Sequence, residues 1–294
     1  MKRLLTFALA VTCVMTAAAQ KTVSYEGADE IVRLWDNTTA KYSNHETRDE
    51  EWRSKKKTSI KQTSSCELYI FKAKGEKNTG VAVCYFPGGS YTNLNLTLWL
   101  AAWYAEQGIT AAIVKYRLPN GGHTDATLED AIGAVRYMRT RTDLGIDPKK
   151  VGVTGSSAGG HLSSWVSNAM PDDEKPAFAI LNYGWLNLLE SNSAAADKAL
   201  LQLLGKGYTK QDLLDLTTIR MVSRTTPPTM LLLCDNDSLV PSVDAANYYE
   251  QLVNHGVKAT MHIYPFGGHS VKKHQPEFKY AIIEWLKYLG MIEK

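Results

Sequence analysis

From residue 66 onward, short apolar runs alternate with longer stretches whose apolar positions recur every three or four residues. Cys66 to Phe71 alternates as a strand does. Gly80 to Phe86, Ile109 to Tyr116, Val151 to Gly155, Phe178 to Tyr183, Met230 to Cys234 and Ala259 to Tyr264 are brief apolar runs, the pattern of strands covered on both faces. Between them, Leu94 to Gln107, Asp125 to Thr140, Ala158 to Ala169, Val243 to His255 and Phe278 to Leu289 read as helices. In the second of these, Leu128, Ile132, Val135 and Met138 repeat at helical steps. Strands alternating with helices predict an α/β fold around a mainly parallel central sheet flanked by helices. Residues 185 to 226, richer in Leu, Ser and Asn, read as a helical insertion into it.

The N-terminal part has a different texture. Lys2 and Arg3 precede the apolar run Leu4 to Met15, and Ala17-Ala18-Ala19 follows. A basic start, a short apolar stretch and a small-residue site predict a secretory signal peptide over 1–19, cleaved after Ala19, and hence an exported protein. The run is shorter than the roughly 20 residues a membrane-spanning helix needs. Residues 20–65 are polar and predict an extended, surface-hugging lead-in, with Lys55-Lys56-Lys57 as a solvated turn. The α/β domain is then expected over 66–294.

Composition narrows the class. The 294 residues are 44% hydrophobic and 21% charged, which excludes a disordered or collagen-like chain. The net charge of +3 falls to +1 without Lys2 and Arg3, so no basic footprint points to nucleic acid or an anionic membrane. Cys66, Cys84 and Cys234 lack zinc-site spacing, and Cys84 and Cys234 end apolar runs as small buried hydrophobes. No metal or organic cofactor is expected.

The chemistry begins at Gly155-Ser156-Ser157-Ala158-Gly159, set between a strand and a helix. Such a turn must be tight, so its flanking residues must be tiny, and Ser157 then projects above the sheet near a helix N-terminus. A serine hydroxyl needs a base within reach and a group that orients the base. Asp235 and Asp237 lie just past the Leu231–Cys234 run, and His269 follows Gly267-Gly268 just past the next strand. All three placements fall at the carboxyl edge of the sheet, in the chain order serine, acid, histidine. Asp237 is favoured over Asp235 because Asp-x-x-Val-Pro gives it a loop position from which it can reach His269. The glycines of Pro87-Gly88-Gly89-Ser90-Tyr91 would let the Gly89 and Ser90 amides join that of Ala158 around an oxyanion. Tyr91 adjoins this loop and is a candidate substrate contact. His161 is expected to support packing, Asp125 to cap the helix it begins and His262 to be structural; Trp99, Trp185 and Tyr91 are candidates for an aromatic wall against a sugar ring, with the core the favoured place for the two tryptophans.

These stretches resemble the α/β-hydrolase superfamily, and within it the secreted xylan acetyl esterases and feruloyl-esterase-like proteins. The likeness runs from about residue 31 to about residue 288, through Leu34-Trp35, Phe86-Pro-Gly-Gly-Ser-Tyr91, Tyr116-Arg-Leu-Pro119, Gly155-Ser-Ser-Ala-Gly-Gly-His-Leu162, Pro227-Pro228, Asp237-Ser-Leu-Val-Pro241 and Gly267-Gly-His269. It implies Ser157 as nucleophile, Asp237 as acid, His269 as base, and an acylated carbohydrate as partner. Two departures lie beside the cleft: Ser90 stands where a third glycine is usual, and Asn182-Tyr-Gly-Trp-Leu186 replaces a Tyr-Pro run. A prolyl-oligopeptidase-type peptidase shares the chain order of the triad. A non-catalytic carbohydrate-binding protein could share the fold, but retention of all three residues argues against it.

Overall fold

The computed structural model describes residues 20–74, 78–189 and 193–293. The expected leader over 1–19 lies outside the described residues. The strands are β1 (Glu30–Asp36), β2 (Glu51–Trp52), β3 (Ser59–Lys61), β4 (Ser65–Phe71), β5 (Ala82–Phe86), β6 (Leu94–Asn95), β7 (Thr110–Lys115), β8 (Val151–Ser156), β9 (Ala179–Asn182), β10 (Thr229–Cys234) and β11 (Ala259–Tyr264). The helices are α1 (Leu98–Glu106), α2 (Thr124–Thr140), α3 (Ala158–Ala169), α4 (Ala194–Leu204), α5 (Lys210–Leu216), α6 (Ser242–Asn254) and α7 (Gln275–Tyr288).

Eight strands form one sheet in the order β1-β4-β7-β5-β8-β9-β10-β11. The six from β7 to β11 run parallel, and β4 and β1 add antiparallel at one edge. Every residue of β5, β7, β8, β9 and β10 is buried, as a sheet with helices over both faces requires. Parallel strands deliver all their carboxyl ends to one edge, so the loops after β5, β8, β9, β10 and β11 gather there. The segment between β9 and β10 carries α4 and α5, the helical insertion.

The N-terminal segment corrects the expectation of a surface lead-in. Its strand β1 pairs with β4 from Glu30–Ile70 to Asp36–Ser65, with a bulge between Arg33 and Trp35. An edge strand keeps partly exposed positions, so its polar alternation did not advertise membership of the sheet. Glu50 from the same segment is buried beside Lys115, whose Nζ lies 2.6 Å from it, 3.2 Å from Glu67 and 3.0 Å from the Val23 carbonyl. This buried cluster fastens residues 20–65 to the carboxyl end of β7 and to β4. The Lys55-Lys56-Lys57 run is an exposed turn.

Two local readings also change. Leu94 and Asn95 are not helical, because they pair with Ile60 and Ser59 of β3 in a small β2-β3-β6 sheet. Tertiary pairing overrides the helical spacing there, and α1 begins at Leu98. Asp125 does not cap α2: the cap position is His123, without a side-chain cap bond, and Asp125 sits in the first turn. Its charge there favours the helix dipole.

Candidate active site

Ser157 joins β8 to α3 at φ 56° and ψ −122°, a conformation costly for any residue but glycine. Neighbours with no side chain make the turn possible. A Cβ on Gly159 would run into the carbonyl of Phe86, and one on Gly155 into the carbonyl of Gly159. The backbone is then fixed from two sides. The Ser157 N–H donates to the Asn182 carbonyl at 3.0 Å, and its own carbonyl accepts from His161 and Trp185 at 3.0 and 3.3 Å.

His269 arrives from the loop after β11, where Gly267 and Gly268 take φ of 140° and 66°. The Gly268 N–H donates to the Asn236 side chain at 2.8 Å, which ties this loop to the one after β10. The imidazole then bridges two side chains. Its Nδ1 lies 2.7 Å from Asp237 Oδ2, and its Nε2 lies 2.7 Å from Ser157 Oγ. A carboxylate only accepts, so Nδ1 carries the proton and Nε2 is left to accept from the Ser157 hydroxyl. The Tyr183 ring meets His269 edge-on at 4.8 Å and limits its rotation.

Asp237 is 8% exposed. Burial alone would raise its carboxyl, but hydrogen bonds from His269, Val240 and Leu239 outweigh it and hold the group below the usual carboxylate range. It therefore stays ionised beside the imidazole. Asp235 is exposed, and its side chain takes a 3.4 Å bond from Ser242. The structure thus brings together Ser157, Asp237 and His269 and leaves Asp235 outside.

The loop after β5 lies across the cleft from His269. Gly89, Ser90 and Tyr91 all have positive φ, at 136°, 53° and 55°. The Tyr116 hydroxyl donates to the Pro87 carbonyl at 2.8 Å, and the Gly88 carbonyl accepts from Asn95 at 2.8 Å. The Gly89 carbonyl is turned away to accept from Thr92 and Asn93. Neither the Gly89 nor the Ser90 amide has an acceptor among the described residues, and both residues line the cleft beside Ser157. Ala158 also lines it and opens α3, where an N–H has no partner within the helix. These donors can serve an anion adjacent to Ser157.

Tyr91 is a correction. It is fully buried and does not border the cleft. The positive φ turns its ring inward, where its hydroxyl donates to His161 Nδ1 at 2.6 Å. His161 passes the chain on by donating Nε2–H to the Leu216 carbonyl at 2.8 Å. Burial pushes the His161 imidazole down to about 4, so it is neutral and structural, as its place in the helix suggested. The His123 ring lies tilted against His45 at 4.6 Å, His262 lies on edge strand β11, and Trp99 packs against Phe278.

The cleft has further walls, of which Trp185 alone was among the sequence candidates. Trp185 belongs to the core as expected, yet it also lines the pocket, opposite Ala195, Ala196 and Ala199 of α4. Asn95 and Thr97 border the other side. For Trp185 a signal existed, since it follows β9 at the same sheet edge as Ser157. For α4 none did, because the insertion's packing direction is a tertiary fact.

Among the described residues, no group of three or more His, Cys, Asp or Glu side chains could hold a metal ion, and no helix is long and apolar enough to cross a membrane. Cys66, Cys84 and Cys234 are buried and free.

Residues 83–272 match the profile of a family described by its alpha/beta hydrolase fold. An acetylxylan esterase of Xylanibacter ruminicola is 33% identical over 221 residues, covering 72% of this chain and 44% of that protein. The chain spans less than half the length of the curated relatives it matches. Among solved structures, an acetyl ester-xyloside bifunctional hydrolase from Caldicellulosiruptor lactoaceticus superposes with a TM-score of 0.70 at 29% identity, over 78% of this chain and 89% of that one. A thermophilic esterase from Thermogutta terrifontis, at 21% identity and a TM-score of 0.63 over 78% of this chain and 89% of its own, shares the fold.

Proposed function

The chain belongs to the α/β-hydrolase fold family, and from that premise we propose that it is an exported serine esterase. Its substrates are acetyl esters on plant polysaccharide or oligosaccharide such as xylan. One observation carries the reading: the unbroken chain from Ser157 Oγ through His269 to Asp237, with both links at 2.7 Å. The choice of acyl and sugar is supported by the names of the acetylxylan esterase and the acetyl ester-xyloside hydrolase. Export rests on the leader pattern of residues 1–19.

In the first step Ser157 Oγ attacks the ester carbonyl carbon while His269 Nε2 takes its proton. The ionised Asp237 stabilises the imidazolium without becoming protonated. The tetrahedral oxyanion sits against the amides of Ala158, Gly89 and Ser90, and each such donor is worth about 3 kcal/mol of barrier. The C–O bond to the sugar then breaks, and the sugar oxygen takes the proton from His269. A water repeats the sequence on the acetyl-serine: His269 removes its proton, its oxygen bonds to the acyl carbon, and Ser157 leaves with the proton. Acetate is the second product.

The test is acetate release from acetylated xylo-oligosaccharides, with fluorophosphonate labelling alongside. Ser157→Ala should abolish both release and labelling. Unchanged release from that variant would remove the basis of the proposal.

A further inference from the structure

The space around Ser157 and His269 divides into two arms of different size, which share Ser90 and Leu239. One holds about 50 Å³ and is walled by Trp185, Val240 and the α4 alanines Ala195, Ala196 and Ala199. The other holds about 300 Å³ and is bordered by Gly88, Gly89, Ser90, Asn95, Thr97 and Tyr183. Both arms touch Ser157 and His269, so an ester bonded at Ser157 can send its two halves in different directions. Beyond its carbonyl, whose oxygen faces the amides of Ala158, Gly89 and Ser90, an acetyl group offers one methyl and no further polar atom. A sugar ring is several times larger, and each of its hydroxyls needs a partner when water leaves. Size sorts the two halves, and Asn95 and Thr97 give the larger arm polar groups that a sugar can use.

We propose that the small arm takes the acetyl methyl, that the large arm takes the departing sugar, and that the Asn95 amide nitrogen is the donor that recognises a sugar hydroxyl there. This rests on the esterase reading and extends it to the alcohol side. Asn95 is held rigidly for the task. Its N–H donates to the Gly88 carbonyl at 2.8 Å, which fixes it to the loop that also carries Gly89 and Ser90. Its side-chain Oδ1 accepts from Asn93 at 2.8 Å. That bond orients the amide and leaves Nδ2, which has no acceptor among the described residues, at an exposed position on the arm. Thr97 Oγ1 accepts from Tyr85 at 2.7 Å, so its own hydrogen is free to donate deeper in the same arm.

The experiment compares kcat/KM on acetylated xylo-oligosaccharide with that on p-nitrophenyl acetate, whose leaving group has no second hydroxyl. Asn95→Asp keeps the acceptor for Asn93 and loses the donor, and Asn95→Ala loses both. Both should lower the sugar-to-aryl ratio about tenfold, mainly through KM. In parallel, Trp185→Ala should raise the butyrate-to-acetate ratio on p-nitrophenyl esters. If the wild type deacetylates the sugar but neither Asn95 variant moves the ratio, the arm assignment is overturned and the esterase reading stands. If Trp185→Ala shifts the sugar-to-aryl ratio and leaves the acyl ratio unmoved, the arms are reversed and the proposal fails. If the wild type cleaves aryl acetate but no acylated sugar, the substrate reading falls and takes the sugar arm with it.

Discussion

Tyr91 and His161 form a fully buried pair in which the tyrosine hydroxyl donates to imidazole Nδ1 across 2.6 Å. One partner lies on the loop after β5 and the other on the helix that starts at Ser157, so the pair fixes one side of the cleft to the other. The second imidazole nitrogen reaches Leu216 at the end of α5, which adds the insertion to the same chain.

The buried imidazole makes stability depend on acid. Its pKa is pushed down to about 4 by burial, whereas an unfolded histidine titrates near ~6.5. As pH falls, the unfolded chain takes up the proton first. The contribution is therefore whole above about 6.5 and is lost as pH drops toward about 4, amounting to about 3 kcal/mol across that window. Urea unfolding at pH 7 and pH 4.5 should show a larger loss in the wild type than in His161→Gln. Equal losses would assign the acid sensitivity to other groups.

The two aspartates of the β10 loop should separate cleanly. Asp237→Asn keeps the shape but lets His269 hold its proton on the wrong nitrogen, and kcat should fall about 10³- to 10⁴-fold. Asp235→Asn, at an exposed position away from the imidazole, should leave turnover near that of the wild type. Steady-state kinetics on p-nitrophenyl acetate decides it. A loss confined to Asp235→Asn would reassign the acid.

Gly159→Ala tests the tightness of the turn below Ser157. The new methyl group would collide with the Phe86 backbone, which cannot move without disturbing the central strand β5. A destabilisation of several kcal/mol is expected, in the range of severe overpacking. Soluble yield and thermal unfolding measure it, and a variant with native melting would show that the strand can yield.

Lys115→Met should be among the more damaging changes outside the cleft lining. It leaves Glu50 and Glu67 buried without their shared cation, a loss of about 3–5 kcal/mol. Adding Glu50→Gln to it should restore part of the stability. Chemical denaturation of the single and double variants gives the comparison, and additive losses would argue against coupling within the cluster.

Legibility followed sequence distance and side-chain direction. The glycine-flanked Ser157 and the His269 loop could be placed because each lies one or two residues beyond a strand, and parallel strands fix which edge that is. The direction of Tyr91 could not, because a single positive φ decides whether its ring faces solvent or core. The union of Glu50 with Lys115 joins positions 65 residues apart, and no local pattern announces it. Strand β1 was hidden for a related reason: an edge position tolerates polar residues such as Arg33, whose guanidinium is paired with Glu67 at 2.7 Å.

The alanine wall opposite Trp185 belongs to a stretch of chain looped out between β9 and β10, whereas the reacting groups sit on turns welded to the sheet. Exchange of that one stretch between cousins would rewrite which esters fit, with the hydrolytic core passed on intact.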